Sequence, residues 1–368
     1  MFKSIKTRLI VLFLLLAFLP LLSLRLVAYP RAITALKAET ERHLKNAGIK
    51  QAALIKMWMR ERVQDVSVTA KNPLVIFGTH ITPSDKEFLL LSALLNTIKE
   101  SYGYKEVVIS DTGGIVRIST SKHRRGANIF DSEGFQRAMS GQTFISKIIP
   151  RSELNNAERD EAPHMFFTSP ITSGNKVLGV LLFEMELKGI NNLMKNVLLG
   201  ESGETYIIDE RGVALTELKH QPKGQGTIGH RIANPNTGTP TLSAYECVEG
   251  QVGFDAEGYI NYAGIEVFGF WQWIPEFKLG IIAEVSKREA LSVAYDVKAV
   301  VEGALVLLGF FIVVGAFLLG RKISSPILYL TELTKKMARG DLSLKADIST
   351  GDEIGELAQS FNQMVGSI

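Results

Sequence analysis

Side-chain chemistry needs particular residue types at particular spacings, and this chain offers few of them. Its six histidines, His43, His80, His123, His164, His220 and His230, never fall at the H-x-H or H-x-x-x-H spacing of metal ligands, and they read as scattered surface or partly buried imidazoles. Cys247 stands alone, so it closes no intramolecular disulfide and joins no cysteine metal site. The sequence carries no G-x-S-x-G elbow and no phosphate-cradling P-loop, and its carboxylates are not grouped with Ser and His as a triad. No catalytic residue, metal or cofactor is therefore expected. What remains suits binding. Lys122-His123-Arg124-Arg125 is a cationic run in the loop ahead of "GANIFD", and guanidinium groups recognise carboxylates and phosphates through paired donors. Solvation of that run is the plain alternative. In "LGVLLFEM", Val180, Leu182 and Glu184 share one strand face by the period of two. A carboxylate at the end of such an apolar face is exposed, salt-bridged, or anchoring a cationic group. Phe166 and Phe167 read more readily as core than as pocket wall. The net charge of +3, with no basic stripe interleaved with aromatics, argues against a nucleic-acid partner.

The elements that must carry these residues begin with two apolar stretches. Leu9–Leu24 holds no charge and extends through Leu26-Val27-Ala28-Tyr29, interrupted only by Arg25. Gly303–Gly320, "GALVLLGFFIVVGAFLLG", is uncharged throughout. About twenty residues of helix span a bilayer core. Arg25 can snorkel to the headgroups and Pro20 is tolerable in a membrane helix, so both stretches read as spans in the lipid bilayer. The first could instead be a cleaved signal peptide, but "LSLRLVAYPRA" offers only weak small-residue cleavage spacing. Lys3, Lys6 and Arg8 precede the first span, and Arg321 and Lys322 follow the second. The positive-inside rule then makes both ends cytoplasmic. The expected organisation is a cytoplasmic start at 1–8, spans at 9–29 and 298–320, an outside domain at 30–297 and a cytoplasmic tail at 321–368.

Residues 31–70 lack proline and have a single glycine, Gly48, with apolar residues spaced for a long helix of about 60 Å. An internal repeat follows. "VVISDTGGIV" (107–116) and "YIIDERGVA" (206–214) each join two β-rich runs through an Asp and a Gly-bearing turn, with Gly114 and Gly212 supplying the turn conformation. "LGVLLFEM" (178–185) and "LGIIAEV" (279–285) form a second matched pair. The outside domain is therefore expected to be α+β, with two similar units built on the long helix: a distal unit at 73–198 and a proximal unit at 199–290. The Gly-, Pro- and Thr-rich stretch 220–258 is expected to be a loop excursion, 152–161 a polar loop, and Trp271 and Trp273 proximal core.

The stretches "MWMRERVQDV", "FDSEGFQRAMSGQTFISKI", "FFTSPITSGNKVLGVLLFEMEL" and "INYAGIEVFGFWQWIPEFKLGIIAEVSKREA" occur in an order that resembles a double Cache domain, the tandem PAS-like sensor of bacterial receptors. The resemblance implies a small-molecule site in the distal unit and a location in the inner (plasma) membrane with the sensor in the periplasm. Members that bind amino acids carry an Arg-x-Trp constellation and a Tyr-x-Asp. Here the loop reads "DSEGFQRAM", with Phe135 but no Arg-x-Trp, and Glu184 stands where such members often have Asp, so an α-amino acid is not the expected ligand. The candidate contacts are Arg125, Phe135, Phe166 and Glu184.

In the tail, Ile323, Ile327, Leu330, Thr334 and Met337 follow the 4,3 spacing of a coiled-coil seam, and Ile354, Leu357, Phe361, Met364 and Ile368 form another. Between them, Gly340 ends one helix, Leu344 and Ile348 are placed to tuck over the seam, and Asp352 is suited to cap the next helix. "SSPILYLTELTKKMARGDLS" followed by "GDEIGELAQSFNQM" resembles a HAMP domain, with Pro326, Glu353 and Gly355 where that family has them. The resemblance implies a parallel four-helix bundle made by two subunits, with Pro326, Met337, Glu353, Gly355 and Phe361 in the relay. The expected molecule is a homodimeric transmembrane receptor that signals to a cytoplasmic output module or partner. The competing expectation is the input half of a longer sensor histidine kinase, chemoreceptor or nucleotide cyclase.

Overall fold

A computed structural model describes residues 18–80, 86–148, 164–195, 199–220, 228–341 and 343–367. The expected cytoplasmic start, the first part of the first span and the polar loop at 152–161 lie outside the described residues. The chain divides into a compact unit at Leu36–Ala290 and a second unit made of the residues up to Ala35 with those from Leu291 onward.

The first unit is organised by helix α1 (Tyr29–Ala70), which contains no proline after Pro30. Leu44, Gly48, Gln51, Ala52, Ile55, Met59, Arg62, Val66 and Ala70 are buried along it, one face repeating every three or four residues. Asn72 then caps α2 (Pro73–Gly78), accepting a hydrogen bond from the Leu74 amide with proline in the first turn. Helix α3 (Lys86–Tyr102) follows.

The strands form two antiparallel sheets. The first contains β1 (Glu106–Asp111), β2 (Val116–Ser119), β3 (Phe144–Ile145), β4 (His164–Ser173) and β5 (Lys176–Glu186), in the order β2-β1-β5-β4-β3, with α4 (Glu133–Met139) between β2 and β3. Helix α5 (Lys188–Lys195) leads to the second sheet: β6 (Glu204–Ile208), β7 (Val252–Ile260), β8 (Glu266–Ile274) and β9 (Leu279–Ser286), in the order β6-β9-β8-β7. One core joins α1 to both sheets, taking Val107, Ile109, Leu181 and Phe183 from the first and Ile207, Leu279 and Ile281 from the second.

The repeat is visible atom by atom. In the first turn Asp111 Oδ1 accepts from the Gly113 and Ile115 amides, and in the second Asp209 Oδ1 accepts from those of Arg211 and Val213. Gly114 (φ 79°) and Gly212 (φ 72°) hold the left-handed position that each turn requires. The stretch 220–258 differs from the expected loop. Its described part holds α6 (Leu242–Val248), capped by Thr241, and most of β7. Turn-forming residues cluster ahead of that helix, and a seven-residue segment is too short to show its own period. Trp271 is buried and Trp273 packs against the same core.

In the second unit, the helix beginning at Phe18 and Ser292–Gly315 are long and apolar enough to cross a membrane. The second lies within α8 (Ser292–Leu319), reached through α7 (Lys287–Ala290). Arg25 lies 3.8 Å from Glu302, so the charge inside the first apolar stretch has a partner on α8. A π-helical segment, Gly320–Ser324, leads into α9 (Ser325–Met337), with Pro326 in its first turn. Helix α10 (Glu353–Ser367) starts at Glu353, where Asp352 accepts from the Ile354 and Gly355 amides. Gly355 is required there, because a Cβ would meet the Thr350 carbonyl oxygen at 1.9 Å. Leu330, Leu333, Ala346, Ala358 and Phe361 form the tail core, with Met337, Leu344, Ile348 and Val365 packed around it. Asn362 pins the connector by bonding both the amide and the carbonyl of Ala346. Leu330 and Phe361 of the expected seams are buried, joined by Leu333 and Ala358, while Ile323, Ile327, Leu357 and Met364 stay exposed. Two helices and a connector cover only one side of each helix.

Gly48 decides how closely α1 meets the second sheet. A Cβ there would sit 2.3 Å from a ring carbon of Phe270, itself buried on β8. Gly48→Ala gains about 1 kcal/mol of helix propensity, and overpacking a rigid ring costs about 1–3 kcal/mol. The overpacking outweighs the gain, and the melting temperature of the detergent-solubilised chain is expected to fall by about 2–4 °C for each net kcal/mol. An unchanged or raised melting temperature would refute close packing at this position.

Candidate ligand-binding site

Strand alternation sorts the first sheet into two faces. Val107, Ile109, Leu181 and Phe183 face α1 and its core. The opposite face carries Glu106 and Val108 on β1, Leu182 and Glu184 on β5, and His164, Phe166 and Thr168 on β4. Register sets Glu106 directly across from Glu184. Like charges in register repel, and both carboxylates are buried, so the pair demands compensation.

Arg124 supplies it. Its Nη1 donates to Glu106 Oε2 at 2.8 Å and to Glu184 Oε2 at 2.7 Å. The residue belongs to a short 3-10 turn, Lys122–Arg124, that follows β2 and brings the guanidinium over the sheet. Ser119 donates to the other oxygen of Glu106. His164 Nδ1 lies 2.7 Å from Glu184 Oε1, and Lys105 Nζ lies 3.5 Å from the same oxygen. Burial alone would raise the Glu184 carboxyl, but the His164 hydrogen bond and the charges of Arg124 and Lys105 outweigh it and hold the group at about 2. Burial works against the Arg124 cation, and the two carboxylates more than offset it, so its pKa is raised. Glu184 and Arg124 are therefore both ionised at neutral pH.

Beside the cluster opens a cleft of about 820 Å³. Its wall on the first sheet includes Arg124, Ile129, Phe144, Phe166, Thr168 and Leu182, and it reaches the turns at 209–211 and 275–279 of the second sheet. The Arg124 side chain is one-third exposed (33%), whereas those of Glu106 and Glu184 are 7% and 8% exposed. The guanidinium therefore stands between the cleft and the carboxylates, 5.7 Å from the centre of the Phe166 ring. Among the described contacts, both carboxylate hydrogen bonds use Nη1 alone. Such a wall offers a cation, an aromatic face and an apolar floor, which is a binding surface.

The expected contacts fall at different places. Phe166 lines the cleft, half-buried, and Glu184 lies in the cluster behind Arg124. Phe135 is 1% exposed and packs with Ala138 and Val180 beneath the cleft, its ring 5.6 Å from that of Phe130. Arg125 is exposed, and its guanidinium sits over the Phe88 ring at 4.6 Å, outside the cleft lining. Glu106, His164, Ser119 and Lys105 join the cluster without having been singled out. One signal could have found Glu106: it opens the apolar run "EVVIS" as Glu184 closes "LLFE", and antiparallel pairing brings such ends together.

Comparison with known proteins places this geometry. A Cache-domain model matches residues 32–294 and a HAMP-domain model matches 318–368. The ligand-binding domain of Mlp24 with asparagine is 10% identical with a TM-score of 0.50, over 72% of this chain and 98% of that one. The sensory domain of the Campylobacter jejuni chemoreceptor Tlp3 (CcmL) is 12% identical with a TM-score of 0.50, over 71% of this chain and 99% of that one. At such identities the likeness shows the fold. The sensor protein SrrB of Staphylococcus aureus is 43% identical over 49 residues, which are 13% of this chain and 8% of that protein. The chain thus spans 8% of the length of the curated relatives it matches. With a Cache match over most of its length, this chain belongs to the Cache-domain family, as a double-Cache sensor joined to a HAMP domain.

Proposed function

We propose that the chain is a homodimeric membrane receptor that takes a small organic ligand in the cleft of its first sheet and passes the change through α8 to the HAMP helices. The observation that carries the ligand reading is the placement of Arg124: one-third exposed beside the cleft, braced from behind by Glu106 and Glu184, and beside Phe166. An acceptor group of the ligand meets the guanidinium, and its apolar part lies on Phe166 and Leu182. The Mlp24 domain in its complex with asparagine supports a small polar ligand as the class. Glu184 and Phe135 act behind the contact surface, and Arg125 acts outside it.

The apolar residues left exposed on the tail, Ile323, Ile327, Leu357 and Met364, support a second copy as the partner. Four helices close a bundle that two leave half open. Pro326, Met337, Glu353, Gly355 and Phe361 then lie on the path from α8 to a cytoplasmic output module. The match to SrrB, a sensor protein, supports the related reading of an input region for a longer sensor kinase. The sensor unit lies outside the inner membrane, with both termini in the cytoplasm.

Reporter fusions at Asp209 and at Ser367 are expected to report the periplasm and the cytoplasm respectively. A cytoplasmic signal at Asp209 would overturn the topology. A ligand found by thermal-shift screening of the whole chain is expected to bind Arg124→Ala more weakly by about 1.5–3 kcal/mol, roughly ten- to a hundredfold in Kd, and Arg125→Ala with little change. Unaltered affinity in folded Arg124→Ala would rule this cleft wall out. In membranes, Leu357→Cys and Met364→Cys are expected to cross-link two copies, with the native Cys247 silent because it is buried. Monomer alone at both positions would refute the dimer.

A further inference from the structure

The second sheet repeats the carboxylate pair of the first but compensates it differently. Glu204 and Glu284 are register partners across β6 and β9, as Glu106 and Glu184 are across β1 and β5. Glu284 is 1% exposed. Tyr206 donates to its Oε1 at 2.9 Å, Tyr259 at 2.6 Å and Ser243 at 3.2 Å, and the Asn261 amide reaches Oε2 at 3.3 Å. Every one of these donors is neutral. Among the described residues, no cation pairs with Glu284, in contrast to Arg124 and Lys105 around Glu184.

The groups facing the pair come from every surrounding element. Strand β6 brings Glu204 itself and Tyr206, and β7 brings Tyr259, with Asp255 acting on it. The turn after β7 brings Asn261 and Tyr262, whose hydroxyl donates to Glu204 Oε1 at 2.6 Å. Helix α6 brings Ser243, and Cys247 lies in the same core. Strand β8 contributes Gly269 at the register position beside Glu284. The Lys219 amide donates to Glu204 Oε2 at 2.9 Å, and His220 Nε2 lies 3.9 Å from Glu204 Oε1. Lys219 and His220 both sit on the Glu204 side.

The pair also stands next to a clasp. Glu289 of α7 accepts from the backbone amides of Glu201 and Ser202 at 2.7 Å each, and the Ser202 hydroxyl accepts from the Ser286 amide at 3.0 Å. The start of β6, the end of β9 and α7 are thereby tied together, and α8 follows α7 in the chain.

We propose that Glu204 and Glu284 form a proton-responsive element: loss of a proton from the pair to solvent sets two like charges in register across β6 and β9, loosens the Glu289 clasp, and biases the segment that leads into α8. This is independent of the ligand reading for the first sheet. Burial first, and then the Glu204 charge, push the Glu284 carboxyl up to about 7, and burial raises Glu204 as well. A carboxyl raised in the folded state holds a proton that the unfolded chain has lost. Its stabilisation is therefore full below about pH 4.5 and disappears as pH rises through about 7.

The test uses the full chain in lipid nanodiscs between about pH 5.5 and 8.5, a window that brackets this transition. The melting temperature of wild type is expected to fall by several degrees across the window. Hydrogen exchange in 279–290, corrected for its intrinsic rate, is expected to quicken over the same range. Glu284→Gln, a neutral near-isostere, is expected to abolish both slopes. A wild type without slope, or a Glu284→Gln slope equal to that of wild type, overturns the proposal. Should that variant fail to fold, infrared spectra of wild type decide: a protonated-carboxyl band must vanish as pH rises through about 7 and shift its midpoint downward in Glu204→Gln. A band that is absent, or unchanged across the window, overturns the proposal equally.

Discussion

Both sheets of the sensor unit depend on one buried stripe along α1. Residues from Leu44 to Ala70 present a buried face, apolar except for Gln51 and Arg62, and the first sheet and the second each lay one side on the core it forms. A sheet buries one face against a helix and leaves the other for something else. Because α1 occupies the same side of both sheets, the opposite sides are the ones on which Glu106 with Glu184, and Glu204 with Glu284, come into register. Gly48 sets the closeness of that packing, since the Phe270 ring takes the space a side chain would need.

On those opposite sides, the same problem of paired buried carboxylates is solved in two ways. The first sheet uses cations, so Glu184 stays ionised and its arginine is held at the wall of a cleft. The second uses neutral hydroxyl and amide donors, so its carboxyl is raised toward neutrality. A braced guanidinium has its orientation settled before any ligand arrives, as the proposed recognition role asks of it. A carboxyl without a cation is instead sensitive to its own proton. Duplication of one fold thus left two chemically different interiors.

The apolar helices and the tail follow another logic. Apolar length alone specifies helices able to cross a bilayer, and the Arg25–Glu302 contact gives the one charge in the first stretch a partner. In the tail, Gly355 lets α10 start against Thr350, and Asn362 holds the connector by its backbone at Ala346. These contacts define a helix-connector-helix unit whose remaining apolar side is left uncovered within one chain. A small core of this kind suits a domain that must change packing rather than resist it.

Much of this was legible in the amino-acid sequence. Length and hydropathy marked the apolar helices, repeated β-rich runs marked β1, β5, β6 and β9, and Asp with Gly marked the two matching turns. The tail motif marked its helix-connector-helix order. All of these are properties of short continuous segments, where backbone geometry is dictated by neighbours in the chain. Tertiary structure alone decided that Arg124 rather than Arg125 meets the carboxylates, that His164 and Glu106 join Glu184, and that Leu333 and Ala358 turn inward in the tail. It also decided that Glu284, equivalent to Glu184 by repeat, finds hydroxyls where Glu184 finds Arg124 and Lys105. Adjacent arginines point to different sides of a turn, and only long-range strand pairing says which residues meet there, so no local pattern contains the answer.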